Sequence, residues 1–494
     1  MRGDPPPGVL PAAAHSHAGA RSLAFGFGGS VWTPVEAVPR QRTRRNLELV
    51  LLILAWGLGV LGTQQVAWST GEGLHSRFWI TAAVVGVLAL VAHIIVRWRV
   101  PYSDPFLLPI ATLLTILGLV MIYRLDVAAA QRAERNDNPI PTPDVYNQLT
   151  WYAVAVLLFV LVLLVLRDHR VLQRYTYTAG LVGVILLLLP LAPVIGATVN
   201  GATLWVRIGG FTFQPAEAAK ILLTIFFAGY LVVTRDSLAL VRTKVLGVPL
   251  PRARDLGPIL IVWALSLGVL VFERDLGTSL LFFGLFVAML YIATQRWSWL
   301  VLGFVLFAVG AVFAYLMFGH VRTRVQIWLD PFAYADTGGY QIVQSLYGFA
   351  NGGLFGTGLG RGYPELVPFA NTDFILAGLG EELGLTGAIG ILLLYAVLIE
   401  RGLRTAVAVR DPFGQLLAAG LSITLALQVF VIVGGITRLI PLTGLTTPFL
   451  SYGGSSLVAN WVIIAILLVI SNRARRPAPT PPSPDSTATQ VVRR

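Results

Sequence analysis

The sequence contains no cysteine, which removes disulfides, thiolate metal sites and cysteine nucleophiles from consideration. Charge is scarce as well. Only 12% of the 494 residues are Asp, Glu, Lys or Arg, about half of what a soluble domain uses to keep its surface solvated. The six histidines fall at no metal-ligand spacing, and no Walker motif, HExxH or dinucleotide fingerprint on a strand-turn-helix appears. Residues 1–45 lack a charged segment running into a short apolar core and small-residue cleavage site, so no secretory signal is read there. Their Pro, Gly and Ala content predicts a disordered tail instead.

What is abundant is apolar: 56% of the chain. From Leu47 onward, apolar runs of about 20 residues recur, each long enough to cross roughly 30 Å of hydrocarbon. The fold class expected is all-α, a polytopic membrane protein of about 12 transmembrane helices, near 47–67, 78–97, 106–123, 150–166, 175–196, 216–233, 257–272, 276–294, 299–318, 375–400, 413–437 and 455–472. The +12 net charge is spread between these spans, which fits anionic lipid headgroups and gives no basic face for nucleic acid. With the N-terminus inside, the arginines at 40–45, 97–99, 167–174, 296, 401–410 and 473–476 lie in the cytoplasm, together with the basic residues of 235–254. The C-terminus returns to the cytoplasm as a Pro-, Ser- and Thr-rich tail, 474–494.

That orientation turns four chemistry-bearing segments outward: Val199–Pro215, Glu273–Asp275, Gly319–Thr372 and Arg438–Ser456. The longest, 319–372, exceeds the length of an ordinary connection, and its apolar pattern from Arg324 to Phe349 predicts an interfacial helix. Asp275 stands between two apolar spans at the membrane boundary. There it serves equally as the cap of the helix beginning at Leu276 or as a catalytic carboxylate. Glu217 and Lys220 share a helix face as an i,i+3 pair, open to a packing role or to substrate contact. Arg207, Arg322 and Arg324 offer forked donors to a diphosphate, with solvated arginines as the plainer reading. The glycine-rich runs 352–360 and 451–456 suit anion binding or tight turns and close helix crossings.

In order and spacing, four motifs match a known family. They are Asn200-Gly201-Ala202 through Trp205 to Gln214-Pro215-Ala216-Glu217 and Lys220, and Asp275-Leu276-Gly277-Thr278. The third runs from Gln341 and Ser345 through Gly352-Gly353-Leu354-Phe355-Gly356 to Thr372-Asp373-Phe374-Ile375 and Glu381-Glu382-Leu383-Gly384. The fourth runs from Pro441-Leu442-Thr443-Gly444 to Pro448 and Ser451-Tyr452-Gly453-Gly454-Ser455-Ser456. From about Leu107 to Ser471 the chain resembles the SEDS proteins (shape, elongation, division and sporulation), the RodA and FtsW class of peptidoglycan glycosyltransferases. Ala216 replaces the family's usual Ser and Ile432 its frequent Asn. Neither change removes an acid or a base.

The resemblance implies a ten-helix core over 101–473 with a large extracellular loop, 319–372, preceded by two additional helices over 46–100, an arrangement closer to RodA than to FtsW. It implies lipid II as substrate, β-1,4 glycan as product, Asp275 as the essential carboxylate and a class B penicillin-binding protein as partner. Substrate contacts are expected among Arg207, Glu217, Lys220, Arg322, Arg324, Gln341, Ser345, Asp373, Glu381, Ser451 and Tyr452. A divalent cation, Mg or Mn, is left open, since no dedicated set of hard oxygen ligands can be assigned. Two rival readings are a lipid II flippase working through midplane charges such as Glu217 and Lys220, and a non-catalytic scaffold of the cell-wall synthesis complex.

Overall fold

The structure is a computed structural model describing residues 43–73, 76–193, 195–199, 202–209, 211–239, 243–245, 248–250, isolated positions between 261 and 273, and 275–477. The expected N-terminal tail and most of the C-terminal one lie outside these residues, as does most of the helix expected at 257–272.

Besides a single turn at Val171–Arg174, thirteen α-helices organise the described chain: α1 (Arg45–Thr70), α2 (Ser76–Arg99), α3 (Leu107–Arg135), α4 (Asp144–Val165), α5 (Thr176–Leu188), α6 (Pro215–Ala239), α7 (Leu276–Thr294), α8 (Ser298–Met317), α9 (Gly319–Leu329), α10 (Tyr340–Gly352), α11 (Ile375–Ala408), α12 (Pro412–Ile436) and α13 (Gly454–Arg475). Among the described residues ten helices are long and apolar enough to span a bilayer, all at positions the sequence predicts. The expected span at 175–196 is shorter. Its α-helix stops at Leu188 and tightens into a 3-10 turn, Leu189–Leu191, around Pro190, whose ring removes a backbone donor.

Packing follows from what each helix can offer its neighbours. In lipid there is no hydrophobic drive between helices, so close van der Waals fit and polar partners decide the arrangement. Helix α13 is sheathed, with Trp461 fully buried between Tyr152 and Phe159 of α4 at centroid separations of 5.4 Å for each ring. The Trp461 indole N–H finds Thr115 Oγ1 on α3 at 3.3 Å. By contrast α8 leaves Phe304, Val305, Val309 and Val312 exposed, the side chains a bilayer would cover. Helices α1 and α2 are joined to the core by a buried cluster in which Glu48 accepts from Arg45 and His93, while Arg45 reaches the Ser103 carbonyl.

Two connections depart from expectation. The segment between α5 and α6 is a three-stranded antiparallel sheet, β1 (Gly196–Val199), β2 (Ala202–Ile208) and β3 (Phe211–Phe213), so the fold is nearly but not wholly helical. The interfacial helix expected over 324–349 is two helices, α9 and α10, broken by Asp330-Pro331 and a 3-10 turn at Phe332–Tyr334. The residue before a proline is biased away from the helical region, and Asp330 has φ −141° and ψ 81°.

The glycine-rich run 352–358 takes the structural of its two readings. Helix α11 is interrupted at Gly384, with φ 71° and ψ −175°, a conformation that excludes a side chain. A Cβ there would meet Gly356 N at 2.2 Å. The opened helix bonds to the run instead of to itself: Thr357 N donates to Glu381 O at 3.0 Å, Gly358 N to Glu382 O at 2.9 Å, Leu385 N to Gly353 O at 2.9 Å and Thr386 N to Leu354 O at 3.1 Å. Backbone groups freed by a break at membrane depth need such partners.

Candidate active site

Asp275 is the cap of α7. Its Oδ1 accepts from Thr278 N at 2.9 Å and its other oxygen from the Thr278 hydroxyl, which satisfies a free amide of the helix start. Capping leaves the carboxylate in place for chemistry, because it lines a cavity of about 910 Å³. Gly277 makes this corner tight. A Cβ on it would lie 2.5 Å from Leu445 Cγ and 3.1 Å from Thr443 Cβ, so the 441–447 segment packs directly on the first turn of α7.

Arg324 of α9 secures that segment, donating to Leu442 O at 2.9 Å and Thr443 O at 3.2 Å. Its guanidinium faces Asp373, which precedes α11. Burial pushes the Asp373 carboxyl up to about 6; Arg324 opposes the rise and Asp275 adds to it. Asp275 is also raised by burial, against the hydrogen bonds of Thr278 and the charge of Arg324. Two residues earlier, buried Glu273 is pushed up to about 8 by its surroundings and then by Asp275. This end of the bundle thus crowds carboxyls into a poorly solvated corner, where deprotonation is costly and the resulting base is correspondingly strong.

The other walls come from α4 (Asn147, Thr150, Trp151), the sheet (Leu204, Trp205, Arg207), Gln341 of α10, and Tyr452. Of the residues expected at the site, the cavity brings together Asp275, Arg207, Arg324, Gln341, Asp373 and Tyr452. Ser451 stands behind the wall and positions it: its hydroxyl accepts from Thr447 N at 2.9 Å and donates to Thr372 O at 2.5 Å, tying the residue beside Asp373 to the 447–451 turn.

Five expected contacts lie away from the cavity walls. Lys220 is buried against Glu217 at 2.6 Å, Gln428 Oε1 at 2.9 Å and Asn460 Oδ1 at 3.0 Å, a polar knot between α6, α12 and α13. Glu381 accepts from Asn351 Nδ2 at 2.8 Å and Tyr363 N at 3.0 Å, bracing the long loop. Ser345 bonds Ile436 O at 3.4 Å, and Arg322 turns toward the end of α8, donating to Leu316 O at 3.0 Å. Conversely, Asn147, Thr150 and Trp151 are wall residues that motif reading passed over. Polar groups at i,i+3 in an otherwise apolar helix were the available signal.

No group of three or more His, Asp or Glu able to hold a metal occurs among the described residues.

The family model for cell cycle proteins of the FtsW, RodA and SpoVE type matches residues 105–476. The chain is 51% identical over 469 residues to a peptidoglycan glycosyltransferase RodA of Mycobacterium tuberculosis, covering 93% of this chain and 98% of that protein. It is 34% identical over 382 residues to a probable peptidoglycan glycosyltransferase FtsW of a Geobacter species, covering 76% and 99%. A solved chain from a peptidoglycan synthase complex that coordinates polymerization and crosslinking superposes with a TM-score of 0.53 at 24% identity, over 81% of this chain and 98% of that one, which establishes the fold. The mycobacterial match is too long to omit α1 and α2, whereas the Geobacter protein is spanned almost completely by what aligns. Sequence and architecture therefore agree that this integral membrane chain belongs to the FtsW, RodA and SpoVE family of cell cycle proteins.

Proposed function

We propose that this chain is a peptidoglycan glycosyltransferase of the RodA type, polymerising lipid II into β-1,4-linked glycan on the outer face of the cytoplasmic membrane. The observation that carries the reading is the cavity of about 910 Å³ in which the Asp275 carboxylate stands beside Arg324 and Asp373. Its volume is in the range of ligand sites. Its lining combines polar groups with Trp151, Val154, Leu204 and Trp205, a surface suited to a sugar on a lipid carrier.

The reaction balances with one base. An acceptor sugar hydroxyl gives its proton to Asp275 as its oxygen attacks the anomeric carbon of the donor. The new C–O bond forms while the bond to the undecaprenyl diphosphate breaks, and the diphosphate leaves carrying the electron pair. Inversion from an α-linked donor to a β product needs only this single displacement. Arg324 and Arg207 supply positive charge where the leaving group becomes more negative. Burial keeps Asp275 basic enough to take a proton that an ordinary carboxylate would accept poorly.

Asp373 together with the substrate diphosphate would hold a divalent cation, Mg or Mn, since such ions are commonly held by one or two carboxylates plus substrate phosphates. It would supply charge neutralisation. The orientation rests on the arginines: those at the ends of α2, α4, α11 and α13 lie at the end of the bundle remote from Asp275, which supports a cytoplasmic placement of both termini and an outward-facing cavity. A class B penicillin-binding protein is the proposed partner, in keeping with the synthase complex that supplies the fold match. Co-purification from membranes checks this, and two proteins that never travel together refute it.

Purified protein with labelled lipid II tests the reaction. Glycan polymer should form with the wild type and not with Asp275→Asn. Lipid II moved across vesicles without any polymer would point to transport instead. The knot around Lys220 does not support that alternative, because Glu217, Gln428 and Asn460 already satisfy the ammonium group inside the bundle.

A further inference from the structure

We propose that the end of the bundle remote from Asp275 binds the phosphate headgroup of an anionic phospholipid, in a pocket of about 560 Å³ lined by Arg170, Arg410, Arg473 and Arg476. The site rests on the orientation given above, which makes the donor leaflet the cytoplasmic one, and not on the glycosyl-transfer reading.

Three connections converge there: the turn after α4, the link between α11 and α12, and the end of α13. The floor is fixed by internal pairs. His169 Nε2 meets Asp411 Oδ2 at 2.6 Å, Asp411 also caps α12 through Gly414 N at 3.0 Å, and Arg473 pairs with Asp168 at 3.0 Å. Arg170 approaches the same Asp411 at 3.4 Å. These pairs use up both nearby carboxylates. Arg410 and Arg476, both exposed, have no ion-pair or hydrogen-bond partner among the described residues. Like charges gathered in one concavity repel, and an anion with several oxygens relieves this by accepting from more than one guanidinium fork.

The surroundings select the source of that anion. Ala408, Val409, Ala474 and Pro477 complete the pocket, and Val407 (85% exposed) and Val165 (73%) mark lipid-facing surface at the adjoining helix ends. A headgroup held here leaves its chains in the bilayer. Basic pockets between helices on the cytoplasmic side are suited to such headgroups. The chain's own C-terminal residues are a poor substitute, since 478–494 carry one Asp and two Arg.

Native mass spectrometry of the full-length protein, loaded with phosphatidylglycerol or cardiolipin and separately with phosphatidylcholine, tests the site. The wild type should retain the anionic lipids selectively. Arg410→Gln with Arg476→Gln should weaken that retention about 30-fold, in line with the contribution of two interfacial basic residues. Phosphatidylcholine carry-over and the melting temperature in detergent should not change, because neither side chain bonds to the fold. Unchanged anionic-lipid retention in the double variant overturns the proposal. So does an equal loss in the control Arg97→Gln with Arg404→Gln, at the same end of the bundle but outside the pocket. Displacement of the lipid by inorganic phosphate would assign the pocket to a soluble anion and overturn the lipid assignment.

Discussion

Two of the regions that bury ionisable groups differ in what surrounds them. Around Lys220 every donor is matched: Glu217, Gln428 and Asn460 close on the ammonium group, and the knot is sealed from solvent. Around Asp275 the carboxylate is equally buried as a residue, yet it borders open space shared with Asp373 and Arg324. Burial alone therefore does not mark a reactive group. A vacant volume beside a raised carboxyl does, and this separates the region that holds helices together from the region suited to chemistry.

The sharpest way to break this contrast is Asp275→Asn. It keeps an oxygen for the Thr278 amide and so preserves the cap, while polymerisation of lipid II should fall about 10²- to 10⁴-fold, the usual scale for loss of a general base. Measuring single-turnover rates on folded protein decides it. Next in size is Lys220→Ala, which leaves Glu217 buried without its partner and should cost about 3–5 kcal/mol of stability. Melting in detergent reads the loss, and activity per folded molecule should persist. If activity collapses while stability holds, the two regions are not distinct.

Smaller effects sharpen the comparison through pH. Because Asp275 must be deprotonated to accept a proton and its pKa is raised, the rate should climb with pH, through an inflection above the ordinary value near ~4. The Thr278 hydrogen bonds favour the charged form, so Thr278→Val should push that inflection upward. Arg324→Gln removes a positive charge that favours the ionised form and should push it upward as well. A pH–rate profile indifferent to both substitutions would remove Asp275 as the titrating base.

Much of this was legible in the chain. Apolar runs placed the ten long helices, because a span must be continuous to cross hydrocarbon. Asp275, Gln341, Asp373 and Tyr452 could be nominated from motifs, Arg207 and Arg324 as arginines on the same side, and all six meet at one cavity. Less readable was the division between contact and support. Glu381 and Ser451 belong to the same motifs as the wall residues, but one braces the long loop and the other ties two segments together. Adjacency in sequence carries no information about which face turns inward at an irregular turn. The small sheet over 196–213 was hidden for a related reason: its strands are only 3 to 7 residues long, too short to show a firm alternation.

The interruption at Gly384 has a mechanical consequence. With four main-chain hydrogen bonds stitching 353–358 into the gap in α11, the long connection cannot swing as a free flap. Force applied to its tip is delivered to the helix whose first turn follows Asp373. A protein that grips this loop would hold a lever whose short arm ends at the carboxyls proposed to carry the reaction.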